Sequence, residues 1–240
     1  MKRNINNIIC VLGLFSLFQP LAYSGPVIVF NDNGAWCWYQ DERVIIHNGK
    51  LIIGSVADSS GTNGASRNGN VEVVEYDIDA GGPAVRTVIH TNFQDDDHDT
   101  AAFLPLPDNR ILALYTKHLS DQLIHYRTTT NPNDTTSWSA DATLTRNASV
   151  TYSNVYRLSA ENGGSGRIYN FYRGENFNPN FVTSDDNGQT WNYGLASVAA
   201  DGHLIRKDGQ RPYVRYTSNN VDKIHFISTE AHPRDYNNSI

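Results

Sequence analysis

The chain has 240 residues with 19 basic and 25 acidic side chains, which gives a formal net charge of −6. This acidic balance argues against nucleic acid or an anionic membrane as a partner, although a local cluster of Arg and His can still bind a polyanionic sugar. The 13 Tyr and 4 Trp, together with only 18% charged residues, are typical of a β-rich secreted protein with surfaces that face sugars.

Residues 1–24 have the features of a secretory signal peptide. Two basic residues follow the first Met, residues 8–21 are mostly apolar, and small residues stand at the two positions that a signal peptidase reads. The apolar segment is too short to span a membrane as a helix. We therefore expect a secreted protein, extracellular or periplasmic, whose mature domain covers residues 25–240.

Cys37 is predicted to be a structural cysteine. Because Cys10 is removed with the signal peptide, the mature chain keeps one cysteine and forms no intrachain disulfide. The neighbours Trp36 and Trp38 are aromatic, so we expect the thiol to be a small buried hydrophobe and not a nucleophile.

Four β-hairpins follow one another along the chain. Their turns, rich in Gly, Asn, Asp and Pro, fall at residues 47–50, 107–110, 162–166 and 207–210. A third strand of alternating pattern follows each hairpin, at residues 71–76, 123–128, 180–183 and 223–228. Each of the first three is followed by a candidate fourth strand. Four short strands per unit predict an all-β fold, a β-propeller with about four blades in this chain and few helices.

One loop contains a more specific sequence motif that indicates the same fold. Residues 184–191 (SDDNGQTW) match the Asp-box pattern S-x-D-x-G-x-T-W, and residues 133–138 (NDTTSW) look like a degenerate copy. In such a loop the Asp accepts backbone hydrogen bonds and the Trp packs between sheets. Asp boxes lie on the outer side of propeller blades, so we expect Asp186 and Trp191 to be structural. Because nothing resembles a closing strand, we also expect a shortened or fragmentary propeller.

His98 and His118 are the first candidates for a functional site. They flank one predicted hairpin, whose two strands meet at the turn at 107–110, so the fold brings the histidines together at one rim. Two imidazoles beside a run of carboxylates suggest proton transfer or metal binding. The acidic residues at 95, 96, 97 and 99 are either a calcium site or a solvated loop that orients His98.

Several segments together resemble the BNR-repeat ulvan lyases, which are secreted, seven-bladed polysaccharide lyases of marine bacteria. The matching segments are 34–43 (GAWCWYQDER), 97–103 (DHDTAAF), 115–118 (YTKH), 153–157 (SNVYR), 171–176 (FYRGEN), 224–229 (IHFIST) and 232–234 (HPR). The resemblance covers nearly all of the mature chain, but the remaining blades of the family are missing.

The resemblance implies β-elimination at the 4-linked uronic acid of ulvan, next to sulfated rhamnose, which leaves an unsaturated uronic acid. It assigns proton abstraction and donation to His98 and Tyr156, with the choice of base and acid left open. Arg173 matches the residue that neutralises the uronate carboxylate, and His118 matches the second active-site histidine. No cofactor is required for this chemistry, while a structural calcium or zinc ion has no assigned place.

Other residues and other readings stay open. In the fourth blade, Arg215 and Tyr216 are candidates for substrate contact, whereas three further histidines are expected to be structural or exposed: His203, His225 and His232. Tyr156 could instead pack with Tyr152. A sialidase-like glycosidase would share the Asp boxes, a Tyr nucleophile and arginines, but Arg43 is followed by Val-Ile-Ile instead of Ile-Pro. A non-catalytic sugar-binding propeller remnant is the third alternative.

Overall fold

The computed structural model describes residues 27–193, 204 and 209–235. The predicted signal peptide and His203 lie outside these residues. Within them the fold is all-β, with four antiparallel sheets of four, four, four and two strands. The strands are β1 (Val44–His47), β2 (Lys50–Val56), β3 (Val71–Asp77), β4 (Val85–His90), β5 (Ala102–Pro105), β6 (Ile111–Thr116), β7 (Leu123–Thr128), β8 (Ala142–Thr145), β9 (Thr151–Leu158), β10 (Arg167–Arg173), β11 (Pro179–Ser184), β12 (Asn192–Tyr193), β13 (Val214–Ser218) and β14 (Ile224–Ser228).

Each sheet is a meander of strands that are consecutive in the chain, in the orders β1 to β4, β5 to β8, β9 to β12 and β13 to β14. The first hairpin shows how the turns set the register. Asn48 and Gly49 have φ of 49° and 76°, and His47 pairs with Lys50 across the two-residue turn. Asn and Gly accept this left-handed conformation most easily, so the turn is specified locally.

The sheets pack face to face as the blades of a propeller do, and the strand alternation supplies both faces. One buried cluster joins the first two sheets, with Val73 of β3 and Phe103 of β5 among its members. A second joins the next pair through Leu114 and Val182, and a third joins the last pair through Phe171 and Tyr216. The propeller prediction is therefore confirmed, with sheets that do not close into a ring within the described residues.

The Asp-box loop after β11 has the predicted geometry. Asp186 Oδ1 accepts hydrogen bonds from the backbone nitrogens of Gln189 at 3.1 Å and Thr190 at 2.8 Å. Gly188 has a φ of 86°, and the ring of Trp191 lies edge-on to Tyr126 of the neighbouring sheet at a centroid distance of 5.8 Å. The loop therefore holds two blades together.

The degenerate copy uses the same device. Asp134 Oδ1 accepts a hydrogen bond from Thr136 N at 2.9 Å, and Trp138 packs against the cluster between the first two sheets.

The first strands of the sheets lie side by side, since β5 contacts both β1 and β9. Just before β1, Asp41 forms a parallel bridge with Asn154 of β9, and Gln40 Nε2 donates to the carbonyl of His98, which lies just before β5. The chain segments that lead into these strands therefore meet at one end of the packed sheets, which we call the rim. Within the described residues, no helix is long and apolar enough to cross a membrane.

Candidate active site

His98 lies at the rim in a short 3-10 turn, Asp97–Asp99, which directly precedes β5. Asp96 caps this turn, and its Oδ1 accepts hydrogen bonds from His98 N at 3.0 Å and from His98 Nδ1 at 2.6 Å. Asp97 Oδ1 lies 2.7 Å from the same ring nitrogen. The acidic loop thus fixes the orientation of the imidazole.

His118 follows β6 and reaches the same carboxylate from the other strand of the hairpin. Its Nδ1 lies 2.8 Å from Asp96 Oδ2, and its backbone nitrogen donates to Gln94 Oε1 at 2.9 Å. The rings of His98 and His118 stack at a centroid distance of 3.9 Å and an angle of 13°. The hairpin therefore brings together the two histidines that the sequence paired.

The shared carboxylate controls the charge of this pair. Burial alone would raise the pKa of Asp96, but hydrogen bonds from His118 and His98 outweigh it and hold the pKa well below its usual range. Burial also works against a proton on His98, yet Asp96 and the Cys37 thiol raise its pKa to about 10. The centre is a compact group of carboxylates and imidazoles that can hold and exchange protons.

Tyr152, the second residue of β9, completes this centre and was missed by the sequence analysis. Its ring lies 5.2 Å from that of His98, and the Arg173 guanidinium carbon lies 4.9 Å from its centroid. The residue is 5% exposed and has an unusual backbone φ of 70°. Burial raises the pKa of the Tyr152 hydroxyl, and the charge of Arg173 acts in the opposite direction.

Arg173 ends β10 and is 5% exposed, so its side chain lies inside the fold and not at the surface. Its Nε and Nη2 atoms are buried and donate no hydrogen bond to any part of the chain that the structure describes. Together with Tyr39, Tyr152 and Tyr213, it lines a narrow cleft. A buried guanidinium with two unused donors is costly without an anion, so the cleft is suited to a carboxylate or sulfate.

Tyr156, which the resemblance assigns to proton transfer, lies in the middle of β9. It is 3% exposed and belongs to the cluster between the last two sheets, with Phe171 and Tyr216 nearby. Four residues at about 3.3 Å each separate it by about 13 Å from Tyr152 along the strand. Tyr156 therefore does not lie beside His98 as Tyr152 does, and burial raises the pKa of its hydroxyl.

The two candidates of the fourth blade have partners other than His98. Arg215 Nη2 pairs with Asp41 Oδ2 at 3.1 Å, and the ring of Tyr216 stacks on Phe171 at 4.6 Å. Tyr216 still borders the cleft beside Arg173. The strand entry contributes Tyr213 instead, whose ring lies 4.3 Å from Tyr39. A rule that chose a tyrosine directly before each first strand or within its first two residues would have found both Tyr152 and Tyr213.

The weaker histidine candidates have different surroundings. His225 on β14 is exposed, in line with the expectation. His232 is buried, and its Nε2 lies 3.4 Å from Tyr213 Oη.

Cys37 is not the core residue that the sequence predicted. It is only partly buried, its sulfur lies within 4.8 Å of a His98 ring nitrogen, and it borders a cavity of about 580 Å³. Burial alone would raise the pKa of the thiol, but His98 and the backbone of Tyr39 lower it below its ordinary value. The sequence predicted a buried thiol because Trp36 and Trp38 flank it. In the structure these two side chains are themselves 45% and 69% exposed.

Three groups of side chains in the described residues have ligand atoms close enough to hold a metal ion. They are Cys37, Asp97 and His98; Asp96, His98 and His118; and His90, His125 and Asp141. The first two share His98, and the third lies between the first two sheets.

Comparison with known proteins decides the family. The model of the BNR repeat-containing family matches residues 37–239. The chain belongs to this family. No curated protein was found to match it.

Two solved structures resemble this BNR-repeat chain in fold. One is an ulvan lyase described as a new family of polysaccharide lyase, PL25, bound to -[GlcA(1-4)Rha3S]-, and the other is described as a PL25 ulvan lyase of the same new family. Each matches with a TM-score of 0.54 and 18% sequence identity over 81% of this chain. The chain spans about half of their length, since 47% of each lyase is covered.

Proposed function

We propose that the protein is a secreted polysaccharide lyase that cleaves ulvan by β-elimination at a 4-linked uronic acid next to sulfated rhamnose. The observation that carries the proposal is Arg173, a buried guanidinium with two free donors in a cleft that Tyr152 also lines, with the ring of His98 5.2 Å from that of Tyr152. The fold shared with the PL25 ulvan lyases supports the same reaction class.

The chemistry requires three tasks at the uronic acid. The proton on carbon 5 is weakly acidic. The charge of the adjacent carboxylate must therefore be neutralised before a base can remove this proton. Arg173 does this through a planar two-point contact that stabilises the enolate-like intermediate. A second group then protonates the leaving oxygen on carbon 4, and the product carries a conjugated double bond.

His98 and Tyr152 are the proton-transfer pair in this proposal. Their rings lie 5.2 Å apart, with Arg173 on the other side of the tyrosine. One removes the carbon 5 proton and the other protonates the leaving oxygen, and the configuration of the uronic acid decides which face each one serves. His118 is a positioning residue for His98, since it stacks on its ring and shares Asp96. No cofactor takes part in these steps.

The first test is product analysis with ulvan. A lyase creates a double bond that absorbs in the ultraviolet, a sialidase-like hydrolase adds water without one, and a binding protein releases no product. We expect ultraviolet-absorbing oligosaccharides. Hydrolysis products, or binding without cleavage, would contradict the proposal.

A matched pair of variants tests the assignment of the tyrosine. Tyr152→Phe and Tyr156→Phe remove the same hydroxyl from two buried positions of β9. We expect Tyr152→Phe to lose about 10²- to 10⁴-fold in lyase rate, the range for a general acid or base, and Tyr156→Phe to keep most of it. The reverse pattern in the initial rate of double-bond formation would return the role to Tyr156.

A further inference from the structure

The thiol of Cys37 adds a sulfur donor to the carboxylates and imidazoles around His98. The ligand atoms of Cys37, Asp97 and His98 (a sulfur, a carboxylate oxygen and a ring nitrogen) lie within 4.8 Å of one another. We propose that these three side chains form a Zn²⁺ site, and that the bound ion blocks the candidate lyase centre. The inhibition rests on the proposed function, whereas binding of the ion does not.

The types of donor atom in this group indicate which metal ion it would bind. Zn²⁺ prefers tetrahedral sites built from thiolate, imidazole and carboxylate, and a set of three protein ligands leaves one position for water or a further group. Asp96 is available next to this set, because its Oδ1 lies 2.6 Å from His98 Nδ1. Calcium, which requires six or more oxygen ligands, does not suit a site with sulfur and nitrogen donors.

Charge and access favour occupation by a cation. Two carboxylates, those of Asp96 and Asp97, lie within 2.7 Å of the His98 ring. Cys37 and Asp97 line an open cavity of about 580 Å³, so an ion reaches the thiol from solvent. Cys37 has no disulfide partner in the described residues, which leaves its sulfur free to coordinate.

The other two groups of side chains fit a metal less well. Beside the group of His90, His125 and Asp141, Arg127 Nε lies 3.6 Å from Asp141 Oδ1, and this positive charge opposes a second cation. The group of Asp96, His98 and His118 has no sulfur donor. The group with Cys37 is therefore the strongest of the three.

Binding of Zn²⁺ displaces any protons on its ligands and removes His98 from the proposed reaction. Zn²⁺ takes a lone pair from the Cys37 sulfur and one from a His98 ring nitrogen, and any protons held there pass to solvent. No oxidation or reduction occurs. A coordinated His98 cannot exchange a proton with the substrate, so the ion and the reaction exclude each other.

Binding is tested first without substrate, on the full chain kept reduced and freed of metal. Calorimetry with Zn²⁺ should give one ion per chain, and Co²⁺ in the same site should show thiolate-to-cobalt charge-transfer absorption. Cys37→Ser should abolish this absorption and weaken Zn²⁺ binding more than about tenfold, since even outer-shell changes cost about 10- to 100-fold. His225→Ala, which removes an exposed histidine of β14, should change neither.

A second variant and a folding check keep this test decisive. Asp97→Asn should weaken binding in the same direction, and circular dichroism should show that each variant keeps the β-rich fold. Absence of the thiolate-to-cobalt band in the parent, or equal Zn²⁺ affinity in folded Cys37→Ser, would overturn the site.

Inhibition is measured as the ratio of lyase rates with and without Zn²⁺, so that changes in the metal-free rate cancel. Zn²⁺ should inhibit the parent, a chelator should reverse the inhibition, and Cys37→Ser should resist it by more than about tenfold. A metal-free parent that produces no double bonds would count against the lyase function while leaving the binding result intact. Zn²⁺ that binds through Cys37 without slowing an active parent would overturn the inhibitory role.

Discussion

Arg173 combines burial, charge and two unused donors, and few residues in a folded protein combine all three. A guanidinium that is 5% exposed normally has its nitrogens paired with carboxylates or carbonyls, whereas Nε and Nη2 here are unpaired within the described chain. The ring of Tyr152 covers one side of it without supplying a negative charge. A carboxylate or sulfate of a ligand in the cleft would pair with these two donors.

Replacement of Arg173 by Lys tests this conclusion. Charge is retained, but one ammonium cannot reproduce the planar two-point contact with a carboxylate. We expect a loss of about 10²- to 10³-fold in kcat/KM on ulvan, comparable to removal of one donor that stabilises an oxyanion.

The matched control is Arg167→Lys, at the opposite end of β10, where Nε pairs with Asp185 Oδ1 at 2.6 Å near the surface. This variant should keep its activity. Full activity in Arg173→Lys, measured as double-bond formation, would remove Arg173 from the proposed site.

At the scale of strands and loops, the sequence predicts the geometry of turns and of the Asp box. It does not predict how far along a strand a given residue lies. The turn at Asn48 and Gly49 is specified by residues that accept a positive φ, and the Asp box by its own hydrogen bonds. Tyr152 and Tyr156 have the same parity in β9, so alternation cannot tell which of them lies at the rim. The start of the strand decides it, and strand ends are what sequence patterns locate least well.

The same limit explains Cys37. Sequence neighbours suggested a buried thiol, but its contacts come from the turn at Asp97–Asp99, about 60 residues away in the chain. A long-range contact of this kind depends on how two blades are placed against each other, which no local pattern records.

The Asp box gives a prediction at the scale of one loop. Asp186 accepts hydrogen bonds from two backbone nitrogens, and its Oδ2 lies 2.6 Å from Thr190 Oγ1. Asp186→Asn weakens these bonds and should lower the free energy of unfolding by about 1–3 kcal/mol. Because the loop lies away from the cleft, lyase rate below the melting temperature should be unchanged.

Asp185→Asn is the control one residue away. Asp185 pairs with Arg167 in an exposed ion pair, which contributes about 0–1 kcal/mol. Thermal melts followed by circular dichroism should therefore rank parent, Asp185→Asn and Asp186→Asn in order of decreasing Tm. Equal melting temperatures for the two variants would mean that the Asp box contributes little to the stability of the blade.

At the scale of the whole molecule, stability depends on how the blades pack, and polar groups as well as apolar ones lie between the first two. His90 ends β4 of the first sheet, and its Nδ1 lies 3.2 Å from Tyr115 Oη of the second. Tyr115 donates to Asp141 Oδ1 at 2.8 Å, and His125 Nδ1 lies 2.8 Å from Asp141 Oδ2. This network joins blades through groups whose charge depends on pH.

Burial lowers the pKa of His90 below its ordinary 6.5, and His125, Arg127 and Lys117 act in the same direction, while Asp141 opposes them. The unfolded chain therefore binds a proton at this residue more readily than the folded chain does. The stability contributed by neutral His90 is complete above pH 6.5 and is lost as the pH falls toward the folded value.

His90→Gln removes this proton and should flatten the pH dependence of folding. Below pH 6.5 the parent should lose Tm relative to the variant, with about 2–4 °C for each ~1 kcal/mol of linked free energy in a chain of this size. Above that pH the difference between the two should be constant, because neither then gains a proton at this position. A Tm difference that does not change across the window would show that contact between the first two blades is insensitive to the charge of His90, and would leave apolar packing around Phe103 as the main force that joins them.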